Sequence, residues 1–127
     1  MSNKLEKQQK KLVEAGIMAP SDTLIDYLQA SYVERLPGKM GGWKQGWVYF
    51  TEEKLIIITG LSLSGNIIIP YRNIRKLGKC SQSLLPIGIV ITHEETENGE
   101  TMTDKISLMK RDKWLGFIAQ KAGISVS

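Results

Sequence analysis

The stretch from Gly46 to Ile74, GWVYFTEEKLIIITGLSLSGNIIIPYRNI, constrains this chain more than any other. It holds three apolar runs, Gly46–Phe50, Leu55–Ile58 and Ile67–Ile69, separated by short polar or glycine-bearing breaks. Isoleucine is β-branched and stiff at χ1, so such runs suit a pleated sheet better than a helix. Each run is also far shorter than the roughly 20 apolar residues that span a bilayer as a helix. The rest of the chain reads as an introduction to this sheet and its completion.

Within the first run Val48 and Phe50 point one way, Trp47 and Tyr49 the other. This strand is expected over Trp43–Thr51, after a loop at Pro37–Gly42. Glu52 and Glu53 make a tight turn, and Lys54–Thr59 returns antiparallel. Leu61–Asn66 is a second turn, with Gly60 and Gly65 able to take positive φ. Ile67–Pro70 begins a further strand, and Tyr71–Ile74 continues it beyond a kink, since Pro70 removes a ladder donor. Arg75–Cys80 is a weakly patterned strand and Ser81–Pro86 a loop. Ile87–Thr92 is a clear strand with Ile87, Ile89 and Ile91 on one face. Asn98-Gly99 signals a hairpin inside a wider acidic loop, from which Thr101–Met109 returns with Ile106 and Leu108 inward.

Upstream, residues 3–15 are good helix formers and Gly16 stops them. Their apolar face is thin, with Leu5, Leu12 and Val13, so this helix is expected to sit loosely or to pack on a neighbour. From Thr23 the chain reads either as a short capped helix followed by a strand at Ala30–Leu36, or as mostly strand from Ile25. Tyr32 and Val33 favour the second. At the other end Trp114, Leu115, Ile118 and Ala122 fall at helical spacing, with Asp112 suited to the first turn and Gly123 to the C-cap. The fold expected is mainly β with terminal helices: a small seven-stranded antiparallel barrel plugged by the last helix, with Trp114 as its anchor. Residues 1–18 form an N-terminal helical extension and 19–127 the barrel domain.

Several chemistries find no support. One cysteine, Cys80, excludes an internal disulfide, and with the single His93 it cannot build a zinc cluster. His93, beside Glu94 and Glu95, reads as a solvated strand-end histidine with no nucleophile placed near it. Glu94, Glu95, Glu97 and Glu100 lack the spacing that wraps calcium. Gly38, Gly41, Gly42 and Gly46 are turn glycines, since no Gly-Lys-Ser/Thr follows. No catalytic residue, cofactor or metal is expected. A leaderless chain with one thiol fits the cytoplasm, where it could also lie peripherally at the inner face of the membrane.

Residues Gly46–Thr51 followed by Lys54–Ile57 resemble the hairpin of GRAM and bacterial pleckstrin-homology-like (PH-like) domains. Ile69–Ile74 is similar to the Ile-Pro-x-x-x-Ile strand that follows it there, and Arg111–Trp114 to the opening of the final helix. The resemblance covers roughly residues 22–122. It implies a bent seven-stranded antiparallel barrel capped by a C-terminal α-helix. It also implies a non-catalytic module that binds proteins, its own copies or phosphoinositides.

Net charge is +4, which permits an anionic partner without demanding one. The candidate binding surface comprises Arg35, Lys39, Trp43, Lys44, Trp47 and Tyr49 around the first hairpin, with Arg72, Arg75 and Lys76 further on. Inositide-binding relatives carry a denser basic signature on the first hairpin than Arg35, Lys39 and Lys44 supply. A protein partner or self-association, anchored by Trp47 or Tyr49, is therefore the leading reading. Salt-sensitive docking on an anionic membrane surface is the alternative. Base stacking on Trp43, Trp47 and Tyr49 is disfavoured by the modest charge, so nucleic acid is not an expected partner.

Overall fold

The computed structural model describes residues 3–36, 39–59, 66–95 and 98–127. Helix α1 (Asn3–Glu14) leads into strands β1 (Leu24–Leu36), β2 (Lys39–Thr51), β3 (Lys54–Thr59) and β4 (Asn66–Pro70). After a 3-10 turn at Tyr71–Asn73 come β5 (Ile74–Gln82), β6 (Leu85–Glu94), β7 (Thr101–Ser107) and helix α2 (Arg111–Ala122). All seven strands form one antiparallel sheet in the order β4-β3-β2-β1-β7-β6-β5.

The sheet bends but does not close. β4 and β5 are its two ends, and the described residues place no ladder between them. The expected closed wall is corrected here to an open, strongly bent sheet. Among the described residues β1 and β7 share a short ladder, Ser31↔Ser107 and Tyr32↔Ile106. Close approach also shapes β2, where a Cβ on Gly46 would stand 2.4 Å from the Ile58 carbonyl oxygen. The free edge of β5 is partly covered by the C-terminal tail, where the Ser127 N–H donates to the Leu77 carbonyl at 2.7 Å.

Several boundaries move. β1 runs as one strand from Leu24, which settles the choice between strand and capped helix. β2 starts at Lys39, because Met40–Gly42 pair with β1 or extend it despite their loop-like composition. Tyr71–Ile74 does not continue β4. Asn73 lies in the 3-10 turn, and Ile74 opens β5. The loop expected at Ser81–Pro86 shrinks to Ser83 and Leu84. The turn expected at Leu61–Asn66 lies almost wholly outside the described residues.

Two apolar clusters occupy the two faces of the sheet. On the inner face Val48, Phe50, Leu55, Ile57, Ile69, Ile89, Ile91, Ile106 and Leu108 meet Trp114, Leu115 and Ile118 of α2. Trp114 is buried and stacks on Phe50, 4.1 Å between centroids with planes 5° apart. The helix ends at Gly123, in the left-handed region at φ 70, where the Ile124 N–H reaches the Ala119 carbonyl in a Schellman-type cap. On the outer face Leu12, Ile17 and Met18 cover Leu24, Tyr49, Ile56 and Ile58. The first helix is thus seated, not loose: Leu12 alone is fully buried, and the following Ile17-Met18 extends the contact past Gly16.

Candidate functional site

The outer face of β1 and β2 carries a row of aromatic rings. The register opposes Tyr27 to Tyr49 and Gln29 to Trp47. Alternation puts all four on the side away from the main core. Tyr27 stacks on Tyr49 at 5.4 Å with planes 10° apart, and Trp47 leans on Tyr27 at 5.9 Å and 41°. Helix α1 forms the opposite wall. Lys4, Gln8 and Lys11 recur at helical spacing along it, and Lys4 Nζ lies 5.7 Å from the Tyr27 ring centroid. The Tyr49 hydroxyl donates to Gln8 Oε1 at 3.3 Å, and burial pushes its pKa up, keeping it a neutral donor. Between these walls lies a groove of about 360 Å³ lined by Lys4, Gln8, Lys11, Tyr27, Trp47 and Tyr49. Trp47 is 40% exposed at its rim.

The other expected residues are dispersed. Trp43 is half-buried opposite Val33, and Lys44 is exposed opposite Tyr32. Lys39 opens β2, and its side chain lies outside the described set. Arg72 is exposed in the 3-10 turn, and its carbonyl accepts from Arg75 Nη1 at 2.8 Å. Arg75 Nε also donates to Glu94 Oε1 at 3.0 Å. Lys76 is exposed on β5 opposite Thr92.

Arg35 is held elsewhere. It follows a register shift between Val33 and Arg35 and is tied to β7 and the β6–β7 connection. There its Nε and Nη2 donate to both carboxylate oxygens of Asp104, at 2.9 and 2.5 Å, and Nη1 to Glu95 at 2.9 Å. His93, expected to be solvated, is buried instead, and its Nε2–H donates to Asp104 Oδ2 at 2.6 Å. It shares the inward parity of Ile89 and Ile91. Burial raises the Asp104 pKa, but the His93 and Arg35 bonds outweigh it and hold the carboxyl below its usual range. This network lacks a nucleophile, and the described residues contain no group of acids, histidines and cysteines able to hold a metal.

Tyr27 and the α1 face were missed from sequence. Tyr27 belongs to a strand whose register could not be read, and nothing in Lys4, Gln8 and Lys11 announces which surface they would meet.

No family model and no curated protein matches the chain. Solved structures do match it. The C-terminal domain of an unknown protein from Leishmania infantum superimposes with a TM-score of 0.64 at 18% identity, over 94% of this chain and 98% of that one. The Vps36 N-terminal PH domain gives 0.59 at 10%, over 84% and 83%. The fold is PH-like. The Slm1 PH domain in complex with inositol-4-phosphate gives 0.55 at 6%, over 78% and 95%. The open seven-stranded sheet with α2 across its inner face is thus a PH-like scaffold, and α1 with its aromatic groove is built on the outside of it.

Proposed function

We propose that this chain is a non-catalytic PH-like binding module whose partner is a protein, or a second copy of itself, held in the aromatic groove between α1 and the outer face of β1 and β2. The observation that supports this reading is Trp47, 40% exposed and braced by Tyr27 beside a lysine-bearing helix. A pre-positioned aromatic ring loses little conformational freedom on binding and is a frequent interface anchor. A headgroup site at the first hairpin has less behind it, since Asp104 and Glu95 already engage the Arg35 charge. The Gly46–Thr51 hairpin and the Ile69–Ile74 segment favour a GRAM-type member of the fold. We place the module in the cytoplasm, where Cys80 would remain a thiol.

Site-specific photo-crosslinking in cells tests this. A benzophenone amino acid replacing Trp47 should give a discrete protein adduct or a covalent dimer, and the same group at Lys76 should not. Absence of any protein adduct at position 47 would overturn the reading.

A further inference from the structure

The β5–β6 hairpin has the wrong residues for a turn. Ser83 and Leu84 join Gln82 to Leu85, which face each other across the ladder. Ser83 holds φ 55, a conformation suited to glycine or asparagine and costly for serine. Leu84 is 96% exposed and Leu85 59%, with Pro86 exposed after them. The neighbouring ladder brings the β7–α2 corner alongside, since the Leu108 N–H donates to the Ile87 carbonyl at 3.1 Å. Continuing that register sets Met109, 72% exposed, beside Pro86. Three large apolar side chains therefore project from one end of the domain and join neither core cluster. Turn tips are ordinarily polar, and a strained turn that presents leucine gains nothing from the fold itself.

The charge around this tip is predominantly positive. No Asp or Glu occurs from Lys54 to His93. Lys79, Lys105, Lys110 and Arg111 lie on the strands and corner that carry the tip. The nearest acid along the corner, Asp112, is bonded to Arg111 at 3.1 Å and lies 4.0 Å from Lys79. The end of the sheet that carries Arg35 holds Glu95 and Glu100, and none of the tip residues lines the aromatic groove.

We propose that the β5–β6 tip and Met109 form a docking site for an anionic bilayer surface. Leu84, Leu85 and Met109 enter the boundary between headgroups and acyl chains, while Lys105 and Lys110 meet the anionic headgroups. A projecting apolar tip ringed by cations suits a soft, negatively charged surface.

Sedimentation with vesicles tests the site. The protein should bind vesicles of one part phosphatidylserine to two parts phosphatidylcholine, not phosphatidylcholine alone, and salt should weaken binding. The Leu84→Ser/Leu85→Ser variant should bind about tenfold or more weakly with little change in melting temperature, because Leu84 is almost wholly and Leu85 mostly exposed to water and neither joins a core cluster. Lys105→Gln/Lys110→Asn should also weaken it, asparagine being at home in the left-handed conformation of Lys110. Leu84→Trp keeps an apolar tip, and its added fluorescence should be quenched by brominated acyl chains. Unquenched Leu84→Trp, binding insensitive to the leucine changes, no binding at low salt, or leucine changes that instead dissolve an oligomer seen by light scattering would each overturn the proposal.

Discussion

Trp114 shows what one side chain holds together. Its ring lies flat on Phe50, and Phe117 meets both rings nearly at right angles, at 77° and 82°. Lys113 Nζ stands 4.6 Å from the indole centroid. Trp114→Ala should therefore cost about 3–5 kcal/mol in urea denaturation, since a cavity opens between a helix and a sheet that cannot collapse on it. A loss under about 1 kcal/mol would show that α2 repacks freely. The spacing of Trp114, Leu115 and Ile118 was enough to identify this anchor. His93 misled for a reason of the same scale. Its neighbours Glu94 and Glu95 suggest water, but it continues the inward alternation of Ile89 and Ile91.

At the scale of elements, Asp104 ties three strands together through Arg35 of β1 and His93 of β6. Its carboxyl is held below the ordinary range, so the folded state binds its proton less readily than the unfolded chain. The stability from this shift is complete above the unfolded value, about 3.9, and is lost as the pH falls from there through the lower folded value. Melting temperature followed from neutral pH downward should fall steeply below about pH 4 in the native protein. It should fall less steeply in Asp104→Asn, which starts from a lower plateau because Arg35 and His93 lose their partner. Parallel acid limbs would show that Asp104 does not drive the loss. Sequence could not reveal this network, because Arg35, His93 and Asp104 are brought together by strand pairing between segments far apart in the chain.

For the whole molecule, the decisive fact is that β3 is covered on both faces. Ile57 and Ile69 face the main core, while Ile56 and Ile58 lie under α1. Continuous apolar runs such as Leu55–Ile58 are what a doubly covered strand requires, so the runs already carried the mark of a second layer. Removing residues 1–18 would uncover that face. Losing the burial of Leu12, Ile17 and Met18 should lower stability by roughly 3–6 kcal/mol and create binding for an apolar dye. A truncated chain with an unchanged denaturation midpoint and no dye binding would show that α1 contributes nothing to the core.

Local pattern was sufficient for most strands, both helices and the PH-like order, because alternation, β-branching and capping residues act within a few positions of themselves. What lay beyond it were the facts set by residues far apart: the openness of the sheet, the neutralisation of Arg35, and the meeting of α1 with Tyr27, Trp47 and Tyr49. Those depend on where a bent sheet brings distant strands together, and no short stretch of sequence encodes that distance.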